Sequence, residues 1–458
     1  MSRRLAFIGR SLAGLALAAL IAARPAQAVT VERVVSPGGI EAWLVEDHSQ
    51  KVISLSYAFH TGAANDPADK TGLTEFVAST LDEGAGDLDS AAFQGRLEDL
   101  SSTISFQPTQ DFFQGQVRTV APYRDEVFGL LRLSLTRPRF DAPAIARVRD
   151  QIVKAIAARA EEPNPLASKI WWHSNFPDHP YGRPVLGTAK TVAGIMADDL
   201  HAYVEHRFGR DRLKVAVVGD LTPDELKPLL DQTFGPLPAT SAETATSAET
   251  ASPPDAVPTA GGQVLLVKKP VPQSTVLFAQ PGLAVADKDY YTLLVLNNVL
   301  GGGTFSTRLE HAVRETRGLA YSIGTGLSNY DHTALLFGQA GTQNAKVGET
   351  VAIIRQEWAR FAAEGPTEQE LKDAKTYLEG AYALGLDSTL SIAERLLFFQ
   401  THGLPIDYFD RRKGLIEKVT LADAKRVAKA VIDPAKLGFV VVGDPQGVTP
   451  DQIVDPTD

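Results

Sequence analysis

"LKVAVVGDLTPDEL" at residues 213–226 and "LGFVVVGDPQGVTPDQI" at residues 437–453 decide the fold. In each, a β-branched run ends at Gly-Asp and is followed by Thr-Pro-Asp. That is the pattern of a buried strand turning into a capped helix, with Thr as N-cap and Pro at the first helical position. In each, an amphipathic stretch comes just before, "ADDLHAYVEHRF" at 197–208 and "LADAKRVAKAVI" at 421–432. One such unit is common. The same helix-strand-Gly-Asp-turn order closing two segments of similar size predicts an internal duplication, two α/β domains of one fold. "VISLSYAFHTGA" (52–63) and "QSTVLFAQPGL" (273–283) read as strands, and residues 142–160 and 346–365 as long amphipathic helices.

Between the copies, residues 239–262 read "ATSAETATSAETASPPDAVPTAGG", with the hexamer ATSAET in tandem. There is almost nothing here to bury, so a solvated, mobile linker is expected. The expected domains are then 29–238 and 263–458. The chain opens "MSRRLAFIGRSLAGLALAALIAARPAQAVT". A basic n-region, an apolar stretch and Ala26-Gln27-Ala28 predict a secretory signal peptide over residues 1–28, cut after Ala28, and hence a periplasmic protein. The apolar run is short for a membrane span and is broken by Arg24 and Pro25. An arginine pair at 3–4 leaves the export route, general secretory or twin-arginine, open.

The chain has no cysteine, so thiolate metal sites and disulfides are excluded. A formal charge of −10 argues against a nucleic-acid partner, because phosphate binding needs basic surface. "HAYVEH" at 201–206 suggests zinc at first sight. In His-x-x-Glu-His the histidines are four apart, roughly 40° around a helix; here they are five apart, roughly 140°, and one ion cannot join both. Leu200, Tyr203, Val204 and Phe208 form an apolar stripe, so His201 and His206 read as surface histidines of an amphipathic helix. His173 and His179 are separated by the turn formers Pro177 and Pro180.

Four stretches together resemble the pitrilysin/insulinase-type zinc peptidases: "GAANDPADKTGLTEFVASTLDEGA" (62–85), "HPYGRPVLGT" (179–188), the repeated strand-Gly-Asp ends, and "VLGGGTFSTRLEHAVRETRGLAYSIGTG" (299–326). The resemblance implies mainly antiparallel sheets packed with helices, the two domains arranged as a clamshell. It places the family's zinc motif at residues 75–79, where Glu75 and Ser79 stand for the ligand histidines and Ala78 for the general-base glutamate. The third ligand falls at Lys154-Ala155, where there is no carboxylate. Catalytic zinc needs about three protein ligands, so no metal is expected in this chain.

The resemblance also implies a division of labour. In members that work in pairs, one subunit holds zinc and the other an Arg-Tyr pair, which maps to Arg314 and Tyr321, with Gly318 as the residue ending the helix between them. Gly301, Gly302 and Gly303 match a glycine-rich loop linked to substrate entry; a helix-entry turn with Thr304 or Ser306 as N-cap is a compatible reading. From spacing alone, Arg314 in an ion pair with Glu310 or Glu315 and Tyr321 packed under a strand is the plain alternative. The leading expectation is a non-zinc subunit of a periplasmic heterodimeric metallopeptidase, inactive alone. A His-x-x-Glu-His partner would carry the zinc, and unfolded peptides would be the substrates. An inert peptide-binding or scaffolding pseudo-peptidase is the rival, and a self-sufficient metallopeptidase is disfavoured by the missing ligands.

Overall fold

The computed structural model describes residues 29–242, 253–303 and 307–455. The signal peptide reading, the middle of the expected linker and the N-cap candidates Thr304 and Ser306 lie outside the described residues. The first sheet contains β1 (Glu32–Val35), β2 (Glu41–Glu46), β3 (Val52–Phe59), β4 (Thr103–Pro108), β5 (Phe113–Val120) and β6 (Leu213–Gly219), in the order β1-β2-β6-β3-β5-β4. The second contains β7 (Val264–Lys268), β8 (Gln273–Pro281), β9 (Ala320–Asn329), β10 (Ala334–Gln343), β11 (Gly438–Gly443) and β12 (Gln452–Ile453), in the order β12-β7-β11-β8-β10-β9.

The two orders superimpose. β2 runs parallel to β6 as β7 does to β11, and the next three pairings are antiparallel in both sheets. The Gly-Asp ends do equivalent work. Gly219 (φ 145°) and Gly443 (φ 155°) lie where a Cβ would come within 2.2 Å of the Val52 carbonyl oxygen and 2.1 Å of Ser274 Oγ, each at the start of the neighbouring antiparallel strand. Only glycine lets the backbones approach so closely.

One edge breaks the symmetry. The first Thr-Pro-Asp opens a helix as expected, with Thr222 Oγ1 accepting from the Glu225 N–H. The second does not: Gln452–Ile453 pairs parallel with β7 as β12. In the first sheet β1 covers that edge antiparallel to β2; in the second, residues 451–454 supply the missing hydrogen bonds, and an edge strand left bare would expose unpaired backbone groups.

β6 and β11 are apolar at almost every position because both of their faces are covered. Val215 and Val217 face the helices of the first half, and Ala216 and Val218 face the other side. That other side is covered by α8 (Thr389–Thr401), which belongs to the second half: Ala393, Leu396, Leu397 and Phe399 pack on Trp43, Val45 and Ala58. The exchange is reciprocal. α3 (Pro163–Asn175) of the first half lays Leu166, Ala167, Ile170 and Trp171 on Leu265, Val267, Val440 and Val442 of the second sheet. Polar contacts set the register. Gln400 Nε2 donates to the Val215 carbonyl (2.8 Å), Ser54 and Thr389 share a hydroxyl hydrogen bond (2.8 Å), and Thr275 Oγ1 donates to Asn164 Oδ1 (2.5 Å).

The ends of the expected linker are held rather than free. Pro254 O accepts from His179 Nε2 (3.0 Å), the Ala256 N–H donates to His332 O (2.8 Å), and Asn175 Oδ1 accepts from the Ala260 N–H (3.0 Å). This corrects the reading of residues 253–262 as mobile chain, although most of them remain at least partly exposed. Their backbone groups find partners on both halves, which composition alone does not reveal. The β9–β10 turn is clamped nearby: Asp111 accepts from the Tyr181 hydroxyl (2.5 Å) and from the Asp331 N–H (3.1 Å).

Because each half supplies a layer of the other's packing, unfolding should be a single transition. Leu396→Ala, a second-half substitution at a fully buried side chain, should cost about 2–5 kcal/mol and lower the stability of both halves together. Urea titration followed by far-ultraviolet dichroism and tryptophan fluorescence checks this; two separated transitions would contradict it.

Candidate functional site

The zinc-motif positions sit on α1 (Leu73–Ala78), a short helix entered through Gly72. Phe76, Val77 and Leu81 are buried in the first core, so the packing half of the motif is intact. The chemical half is not. Ala78 lies among apolar neighbours, and the Ser79 hydroxyl donates to Glu75 Oε1 (3.1 Å). Burial raises the Glu75 carboxyl above its usual range, opposed by that hydrogen bond and by the charge of Arg159. Arg159 is on α2 (Ala142–Glu161), which also carries the third ligand position; there Lys154 is exposed and paired with Asp150 at 2.7 Å. Zinc does not fit these residues: one carboxylate is present where about three ligands are needed, one of its oxygens accepts from a hydroxyl, and the positive charge of Arg159 acts on it where a cation would need negative charge. Among the described residues, no group of three or more His, Asp or Glu side chains is placed to hold a metal ion.

Sequence reasoning missed what holds α1. Asp66 is buried and accepts from the Gly72 N–H (3.1 Å), the Thr74 N–H (3.2 Å) and the Thr74 hydroxyl (2.6 Å). Arg207 reaches the same carboxylate at 3.4 Å. Arg207 ends α4 (Ala197–Arg207), the helix of "HAYVEH", where His201 and His206 are exposed and Leu200, Tyr203 and Val204 are buried, in agreement with the amphipathic reading. Asp66 lies six residues before the helix, beyond the reach of a local capping rule.

The second half presents a different arrangement. Tyr321 is on β9, the edge strand. Ala320 pairs with Thr342 and Ser322 with Gly341, so Tyr321 is the extra residue of a β-bulge. Bulges re-aim a side chain; this one turns Tyr321 outward, 81% exposed, and overturns the alternative of a tyrosine packed beneath the strand. Arg314 is in a π-helical segment, Glu310–Glu315, and its Nη1 donates to Glu310 Oε1. The ion pair foreseen as the plain alternative is therefore present. That hydrogen bond raises the Arg314 guanidinium above its usual range, with smaller electrostatic contributions from Tyr321 and Glu315. Gly318 (φ 58°) ends the segment, its N–H donating to the Arg314 carbonyl at 2.8 Å.

The glycines depart from expectation. Gly301 and Gly302 are not a loop; they close a π-helical turn, Asn298–Gly302, that continues α5 (Tyr290–Asn297). A Cβ on Gly301 would lie 2.7 Å from Thr325 Oγ1, so its bareness serves contact with β9, the strand of Tyr321. Gly303 follows in extended conformation.

Asp66 generates a prediction. Burial, opposed by Arg207, Thr74 and Gly72, raises its carboxyl to about 6, so the folded protein binds an extra proton between about 4 and 6. Its contribution to stability is fully present below about 4 and is lost as pH rises to about 6. Wild-type stability measured against Asp66→Asn should decline over that interval; a constant gap would refute this. Asp66→Ala, which removes the buried counter-charge of Arg207, should cost about 3–5 kcal/mol.

Comparison with known proteins agrees with this geometry. The family described as "Peptidase M16 inactive domain" matches residues 194–378. A protein of Streptomyces coelicolor named as an uncharacterised zinc protease is 26% identical over 407 residues, 88% of this chain and 87% of its own. YmxG of Helicobacter pylori, named as a non-peptidase homologue, is 26% identical over 403 residues, covering 87% and 90%. In fold, the chain is similar to a crystal structure of a peptidase M16 inactive domain from Pseudomonas fluorescens, with a TM-score of 0.83 and 24% identity over 92% of this chain and 100% of that one. With the packing of the motif helix kept and its ligands gone, the chain is similar to the pitrilysin/insulinase-type M16 peptidases and, among them, to inactive members without the zinc site.

Proposed function

We propose that this chain is the non-zinc subunit of a heterodimeric peptidase, acting through Tyr321 and Arg314 on peptides cut at the His-x-x-Glu-His site of a partner chain. The observation that carries the reading is the bulge at Tyr321. A phenol set outward on a bulged edge strand, within electrostatic range of a guanidinium, has no packing role in this chain.

The partner's zinc would supply the activated water. Everything else falls to geometry in this chain. Attack on a peptide carbonyl builds negative charge on its oxygen, and the Tyr321 hydroxyl is a donor held on a rigid strand for that charge. Glu310 orients the guanidinium of Arg314, and its planar fork of N–H donors suits backbone carbonyls of an extended peptide. The Asn298–Gly302 turn braces β9 behind Tyr321. Export to the periplasm, with cleavage near Ala28, is part of this proposal and rests on the residue pattern at 1–28.

The Arg314–Glu310 pair favours one second reading, a pseudo-peptidase that binds or scaffolds peptides without hydrolysis. The test separates them. This chain alone should be inactive, and mixing it with a His-x-x-Glu-His subunit should give peptide cleavage. Tyr321→Phe should lower kcat in the mixture by about 10²–10³-fold with the complex intact. Peptide binding with no cleavage in any mixture would instead support the second reading.

A further inference from the structure

Glu310 has no place in the reading above except as a competitor for Arg314, yet its setting is specific. Its side chain is 9% exposed and that of Arg314 is 40% exposed, and the two lie one turn apart in a π-helical segment. The segment starts where Thr307 Oγ1 accepts from the Glu310 N–H at 3.2 Å, so the carboxylate is fixed at a capped helix entry. π-helical turns recur at functional sites, where they re-space side chains that α-helix geometry would misalign.

The other charged groups nearby have partners of their own, although Glu315 still adds a smaller pull on Arg314. Glu315 pairs with His311 at 3.1 Å, Arg308 with Glu370 at 2.7 Å, and Arg317 donates to the Ala312 carbonyl at 2.8 Å. Glu310 is thus the carboxylate that both orients the Arg314 guanidinium and offsets its charge. An arginine without such a partner attracts free carboxylates, through charge-assisted and often bidentate bonds. One whose charge is offset keeps its donors for neutral carbonyls and loses most of that attraction.

We infer that Glu310 is a positioning and specificity-determining residue. It holds Arg314 for neutral backbone carbonyls, so the site takes the interior of an extended peptide in preference to a chain end bearing a free carboxylate. This deepens the proposed role of Arg314 and Tyr321 and rests on it. No bond is made or broken by Glu310 itself.

The test uses the full chain and a fluorescent unstructured decapeptide in two forms, with a free C-terminal carboxylate or a C-terminal amide, and measures Kd by anisotropy. For wild type the two forms should bind alike. Glu310→Gln keeps an oxygen acceptor for Arg314 but removes the charge, and should bind the carboxylate form at least about threefold more tightly than the amide. The gain should vanish in 1 M salt and in Glu310→Gln combined with Arg314→Gln. A loss of packing alone would weaken both forms equally and leave their ratio unchanged. An unchanged ratio in Glu310→Gln, with Arg314→Gln and Tyr321→Phe each weakening binding, overturns the inference and leaves the proposed function standing. Binding that none of these substitutions alters overturns both.

Discussion

The two halves are held by an exchange of helices. α8 leaves the second half to cover the outer face of the first sheet, and α3 leaves the first half to cover the second. This constraint explains why β6 and β11 are apolar on both faces, why the backbone around the linker finds partners on either side, and why the β9–β10 turn is clamped against Asp111 and Tyr181. In a clamshell built this way, hinging about the linker works against the packing between the halves. Opening it would uncover the seats of Leu396, Leu397, Ile170 and Trp171, each worth roughly 1.5–3 kcal/mol of burial.

Within that frame the duplicated halves have diverged in what they expose. In the first, the helix that carries the family's zinc motif is kept by Phe76, Val77 and Leu81 and by the buried Asp66, but presents a hydroxyl, a methyl and a half-buried carboxylate. Packing and chemistry are separable because they occupy different faces of one short helix. In the second, two local irregularities coincide: a π-helical segment sets Arg314 against Glu310, and a β-bulge turns Tyr321 outward. Irregular backbone of this kind costs regular hydrogen bonding.

Much of this was legible in the residues. The twin Gly-Asp ends gave away the duplication because a close strand crossing demands glycine at each, and the five-residue spacing of His201 and His206 excluded a shared metal. Long-range pairing was not legible. The capping of α1 by Asp66 and Arg207, the strap at 254–260 and the helix exchange join residues far apart in the chain, and no local pattern encodes them. The second Thr-Pro-Asp misled for a related reason: the open edge of β7 draws residues 451–454 into a strand, overriding a helix-start signal. Likewise, the family resemblance implies a loop at the glycines 301–302, whereas contact with Thr325 selects glycine within a helical turn here.

The central claim is that the first half, with its motif helix packed but its ligands replaced, cannot coordinate zinc. Equilibrium dialysis of the isolated chain against zinc, followed by metal analysis after exhaustive washing, tests it most directly. The account predicts that no stoichiometric zinc is retained. A tightly held zinc, lost on Glu75→Ala, would contradict it.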